Sequence, residues 1–207
     1  MIQPSPTAPL GSVTTLESYS PSDFPPSAVV LCRNTAPLIA FAFQLIRKNV
    51  GVRVAGRDFG TGLITLVERT KATSIDELQA KLESLREKEI KSATRRNNTS
   101  ALAAIEDKYE CLNLFVADAT SVAGLVAKIA ALFDDKTTGL LTLSTIHRAK
   151  GLEWPTVFIL DRGLMPSKYA KADWELRQES NLMYVAITRA KLHLKYISSG
   201  CWTTPQQ

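Results

Sequence analysis

Three short segments of this chain bring together residue types that handle phosphate. In Asn181-Leu182-Met183-Tyr184-Val185-Ala186-Ile187-Thr188-Arg189-Ala190-Lys191, the residues Leu182, Val185, Ala186 and Arg189 recur at helical spacing. An arginine closing such an apolar stripe either reaches an anion or a carboxylate, or snorkels to solvent. In Leu143-Ser144-Thr145-Ile146-His147-Arg148-Ala149-Lys150-Gly151-Leu152-Glu153-Trp154, an apolar run gives way to hydroxyls, an imidazole, two cations, a glycine and a carboxylate. Thr145 and nearby backbone N–H groups suit phosphate oxygens, Gly151 suits a close backbone approach or a positive φ, and Glu153 can accept from a ribose hydroxyl. Taken singly, His147 and Lys150 fit equally well as a structural histidine and a solvated charge. The third segment, Val30-Leu31-Cys32-Arg33-Asn34-Thr35, sets Arg33 at the end of a continuous apolar run. A strand there would aim it at the ligand edge or into an ion pair.

The elements that must position these groups alternate in type. Ala28–Cys32, Val52–Ala55, Leu140–Leu143, Val157–Leu160 and His193–Ile197 carry strand signals. Ala36–Asn49, with Pro37 in its first turn, and Asp173–Lys191 read as helices. Between Thr61 and Asp134 strand signals almost vanish. Ser74 and Glu77 predict a capping box opening a charged helix through Lys91, Arg95-Arg96-Asn97-Asn98 breaks it, and two more helices follow from Ser100 and from Ser121 to Phe133. Alternation of this kind implies an α/β fold with a three-layer parallel sheet, whose ligands gather at the strand ends. The expected organisation is a proline-rich tail or linker over 1–26 with Ser12–Glu17 as an optional edge strand, an α/β domain over 27–66 and 119–199, an α-helical insertion over 67–118, and a tail over 200–207. The proline-rich start suits a junction within a longer chain.

Composition narrows the functional classes. With 207 residues, 45% of them hydrophobic, the chain can bury a proper core. A net charge of +5 permits a polyanionic partner without demanding one. Cys32, Cys111 and Cys201 show no paired spacing, and His147 and His193 do not complete a metal set, so neither a disulfide framework nor a metal site is expected. No apolar run approaches the roughly 20 residues a membrane span needs, and no secretory signal is visible. The expectation is an intracellular, cytoplasmic protein.

The order Leu-Cys-Arg-Asn-Thr, then Leu-Ser-Thr-Ile-His-Arg-Ala-Lys-Gly-Leu-Glu-Trp, then Tyr-Val-Ala-Ile-Thr-Arg-Ala resembles motifs IV, V and VI of the UvrD/Rep-type superfamily I DNA helicases, in their C-terminal RecA-like domain. The likeness covers roughly residues 28–66 and 118–198, and the helical insertion resembles a reduced form of the family's variable subdomain. The resemblance implies a RecA-like sheet that completes an ATP site with another domain. It implies that Arg189 is the arginine finger and Arg33 a second arginine on the γ-phosphate, both catalytic. Arg33, Gly151, Glu153 and Arg189 would then contact ATP, and Thr145, His147, Arg148 and Lys150 single-stranded DNA. It further implies Mg2+ held with ATP mainly by an N-terminal RecA-like domain, in cis or trans, and leans towards 3′ to 5′ polarity.

Two departures qualify the likeness. Cys32 stands where the family often has an aromatic residue able to stack on adenine. No GxxxxGK[ST] occurs, and Gly56-Arg57-Asp58-Phe59-Gly60-Thr61-Gly62 lacks the lysine and spacing of a P-loop, so it reads as a loop between strand and helix where Arg57 or Thr61 could meet phosphate. The chain alone is therefore expected to be inactive as an ATPase. One reading makes it the C-terminal portion of an ATP-driven translocase; the other makes it a stand-alone, non-catalytic nucleic-acid-binding or helicase-regulating module. Two arginines converging on one edge of the sheet would favour the first.

Overall fold

The computed structural model describes residues 10–134, 136 and 138–203. Pro4, Pro6, Pro9 and the residues after Thr203 lie outside them. Six strands, β1 (Ser12–Thr15), β2 (Val29–Cys32), β3 (Val52–Val54), β4 (Leu141–Thr145), β5 (Trp154–Leu160) and β6 (Ala190–Ile197), form one parallel sheet in the order β1-β6-β5-β2-β4-β3. Such a sheet must be covered on both faces, which is why β2 is buried along its whole length. Val30, Cys32, Phe158 and Leu160 face α1 (Thr35–Arg47), α2 (Arg57–Thr70), α4 (Thr99–Val116) and α5 (Val122–Leu132). Val29, Leu31, Val157 and Ile159 face α6 (Asp173–Ile187) and the turn around Ile146 and Ala149. Three layers result, and the fold is α/β and RecA-like in layout. Among the described residues, no helix is long and apolar enough to cross a membrane.

Several expectations shift. The described part of the supposed N-terminal tail is built into the domain. β1 pairs with β6, and Tyr19 and Phe24 are buried against Phe41, Phe158 and Trp202. Proline and serine content concealed two aromatic anchors. Trp202 belongs to the same cluster and its indole N–H donates to Gln44, so the start of the 200–207 tail is packed as well. The glycine-rich stretch expected as a loop is the first two turns of α2, entered through Gly56 at φ +135°. A boundary at residue 67 would cut that helix at the buried Val67.

The helical segment packs into the domain. α3 (Ile75–Arg95) and α4 form a hairpin, and Leu78, Tyr109, Leu112 and Phe115 share the core that covers the sheet. Ser74 Oγ accepts the Glu77 N–H as expected, but the Glu77 carboxylate reaches back to the Thr73 N–H and hydroxyl, one residue beyond the box.

Gly60 marks the tightest crossing in this layer. A Cβ there would lie 2.7 Å from the Cβ of Phe133 and 2.8 Å from its Cγ. Gly60→Val is expected to lower stability by about 1–3 kcal/mol through overpacking, read as a shift of the urea midpoint. An unchanged midpoint would mean that α2 and α5 do not approach so closely.

Candidate functional site

In a parallel sheet all strand C-termini share one edge, and the residues singled out above divide between the two edges. Arg33 and Thr145 lie at the C-terminal ends of β2 and β4. Glu153 and Arg189 immediately precede β5 and β6, at the N-terminal ends. The register pairs Trp154 with Ala190 at one end of β5 and Leu31 with Ile159 near the other. The two levels are separated by the seven residues of β5, roughly 20 Å of extended chain. The expected convergence of Arg33 and Arg189 on one phosphate is therefore overturned: strand direction sets them at opposite edges.

Arg33 has a different partner. Its Nε and Nη2 donate to both oxygens of Glu179 on α6 at 2.8–3.1 Å, with the two side chains 20% and 10% exposed. Burial alone would raise the Glu179 carboxyl. The Arg33 guanidinium and the Ser167 N–H, which also donates to it, instead hold it below the usual carboxylate range. Glu179, Leu182 and Ala186 share one buried stripe of α6, so a carboxylate at the head of an apolar stripe was the sequence signal for this buried counterion. In this structure the Arg33 charge is engaged in an internal, bidentate ion pair.

Around that pair lies a cleft of about 520 Å³ whose floor includes Arg33, Thr145, His147 and Glu179. Its walls are the first turns of α4 (Thr99, Ser100, Ala103) and the start of α6 with the loop before it (Ser167, Tyr169, Trp174). Asp107 of α4 also lines it, accepting the Thr35 and Ala36 N–H groups at 2.8–2.9 Å and so capping α1 from another helix. Desolvation, and after it the positive charges of Arg33 and Lys150, lower the His147 pKa below its ordinary value, so its imidazole is neutral at neutral pH. Arg148 does not line the cleft: its Nε would sit 3.1 Å from a Cβ on Gly56, so it lies over the entrance to α2. Lys150 is exposed on the turn beyond, also outside the cleft. Cys32 is fully buried, and burial pushes its thiol up to about 12, so this position offers a ligand neither a ring nor a thiolate.

The opposite edge is smaller. α6 ends at Ile187, two residues before Arg189, so the arginine occupies the turn into β6 rather than the helix. Its Nε donates to the Val185 carbonyl, Nη1 to the Leu152 carbonyl and Nη2 to the Thr188 hydroxyl, each at 3.0 Å. A guanidinium carries more donors than these three, and the fork is held by one carbonyl of the last helical turn, one carbonyl of the loop before β5 and one hydroxyl. Gly151 adopts φ +81° with open space where a Cβ would stand, so its backbone needs glycine more than its volume does. Glu153 is exposed, 3.6 Å from Lys191. Gly151, Glu153 and Arg189 are thus brought together. Among the described residues there is no cluster of three or more His, Cys, Asp or Glu side chains placed to hold a metal ion.

Comparison with known proteins gives concordant results. A family described as the UvrD-like helicase C-terminal domain matches residues 61–200. The chain is similar to the ATP-dependent DNA helicase UvrD1 of Mycobacterium leprae (33% identical over 124 residues, 55% of this chain and 16% of that protein). It is also similar to the ATP-dependent DNA helicase PcrA of Leuconostoc citreum (38% over 117 residues, 54% and 14%) and that of Bacillus subtilis (35% over 118 residues, 52% and 16%). The matched stretch spans about a sixth of these relatives' own length.

Proposed function

The chain belongs to the UvrD-like helicase C-terminal domain family, and on that premise we propose that it is the second RecA-like half of an ATP-dependent DNA helicase, completing an ATP site whose phosphate-binding loop is on another domain. Arg189 is the arginine that reaches the transferring phosphoryl group, with Glu153 towards the sugar and the Gly151 backbone beside it. Thr145 and His147, at the far edge, contact single-stranded DNA. ATP binds mainly to the N-terminal domain, and Mg2+ is held there with it.

One observation carries this reading. A single short segment, 146–153, leaves β4 beside Thr145 and returns to β5 beside Arg189, whose Nη1 holds the Leu152 carbonyl. It crosses behind β2, because β2 lies between β4 and β5. A rigid displacement of the turn that holds the Arg189 fork therefore pulls on the segment whose other end carries His147. A pure binding module has no need of an arginine locked at the second edge.

The chain alone is expected to show no ATP hydrolysis above background. Mixed with or fused to the phosphate-loop domain of a helicase of this family, it should support turnover stimulated by single-stranded DNA. DNA binding by the chain alone should be weak and fall steeply with salt. Hydrolysis by the pure chain would sink the proposal, and a complete pair whose turnover ignores DNA would sink it in favour of a regulatory module.

A further inference from the structure

The strand-side cleft contains an indole with no structural task. Of the three tryptophans, Trp202 packs on Phe41 and donates to Gln44, and Trp154 is half-buried against the α6 face of the sheet. Trp174, in the first turn of α6, is 58% exposed and lines the cleft beside His147 and Thr145. Among the described residues it packs against no other ring. Exposing that much indole in water is unfavourable unless something covers it.

We propose that Trp174 is a stacking platform for a base of single-stranded DNA, received into the cleft lined by Thr99, Ser100, Thr145, His147 and Gln178. The inference rests on the strand-binding reading above and assigns the base contact within it.

The cleft suits a base better than a phosphate. Its three carboxylates are spent internally: Glu179 on Arg33, Asp107 on the α1 N-terminus, and Glu175 on the Thr99 hydroxyl and the Lys171 and Ala172 N–H groups. With Arg33 paired as well, the groups left to a ligand are hydroxyls, the Asn34 and Gln178 amides and the neutral His147 ring. These match the donors and acceptors along a base edge, while the indole face takes its π-surface. Cations stand at the rim, where a sugar-phosphate backbone would run. Lys171 and Arg177 flank Trp174 and are exposed, and Arg95 and Arg96 end α3 at the hairpin turn whose Thr99 touches α6. The volume, about 520 Å³, is that of a small-ligand site.

The test compares Trp174→Ala and Trp174→Phe with the wild-type chain, binding labelled oligothymidylate and an abasic strand of equal length and charge at low salt. Stacking on one aromatic contributes about 1–3 kcal/mol, so the alanine variant should bind oligothymidylate roughly fivefold to a hundredfold more weakly and the phenylalanine variant should recover most of the loss. Only the wild-type chain and the phenylalanine variant should prefer the based strand to the abasic one, and tryptophan emission should change on binding in the wild type. Equal affinity of wild type and Trp174→Ala for oligothymidylate, or wild-type indifference to the missing bases, would overturn the stacking role while leaving strand binding intact. If neither strand binds the wild-type chain, both the stacking role and the strand-binding reading fall. Trp174 is exposed, so its replacement should leave thermal unfolding unchanged, which separates lost stacking from lost fold.

Discussion

Paired with a phosphate-loop domain of the family, Arg189→Ala should bind ATP nearly as the wild type does and turn it over about a thousandfold more slowly. The loss should appear in kcat with little change in KM, because charge builds on the transferring phosphoryl group only as the bond to the leaving oxygen stretches. A donor fixed in advance is worth most at that moment, since nothing must reorganise to meet the charge. Arg189 meets this condition: Val185, Leu152 and Thr188 hold its fork at the end of α6. Lysine should recover only a fraction, having the charge without the fork. Arg33→Ala supplies the contrast. It should cost stability but leave the chemical step within a few-fold, because that guanidinium is committed to Glu179 at the other edge. The measurement is single-turnover ATP hydrolysis at saturating DNA for each variant. A variant lacking Arg189 that turns over normally, or an Arg33 variant equally impaired, would reverse the assignment of edges.

The layers of this fold were legible in the sequence because burial on both faces leaves a plain mark. β2 is apolar throughout, and β5 and β6 end in unbroken or alternating apolar runs. What the sequence hid depends on direction and on tertiary partners. Arg33 and Arg189 each follow an apolar segment, and from that alone they look equivalent. One follows a strand and the other precedes one, however, and in a parallel sheet that difference decides the edge. Reading Arg189 as helical concealed the distinction, since α6 gives way to β6 within three residues. Asp107 lies more than 70 residues from the helix it caps, and no local pattern marks such a cap. Tyr19, Phe24 and Trp202 were masked by proline, serine and threonine around them, although three aromatics in two supposed tails were a usable signal. Trp174 carries no sequence signal, because one indole in a polar stretch has no period; only its position against Thr145 and His147 gives it meaning.

Removing Glu179 should be the most destabilising single change among the polar residues of the cleft. Glu179→Ala leaves the Arg33 guanidinium largely buried with no counter-charge and strips the Ser167 N–H of its acceptor. Truncating one partner of a buried pair costs about 3–5 kcal/mol, and the residual exposure of Arg33 points to the lower end of that range. The double replacement Arg33→Met with Glu179→Leu should cost far less than either single change, because no orphaned charge remains. Acid provides an independent check. The folded-state pKa of Glu179 is lowered, so its contribution is complete above the ordinary glutamate value of about 4.3 and drains away as pH falls through the lower, folded value. Wild-type stability should accordingly drop on acidification below about pH 4.3, while Glu179→Gln, lacking the titration, starts less stable and falls less steeply. Urea midpoints across that pH range would show the two curves converging. Parallel curves, or a Glu179→Ala cost below about 1 kcal/mol, would mean that the pair is solvated rather than structural and would leave Arg33 free to meet a phosphate after all.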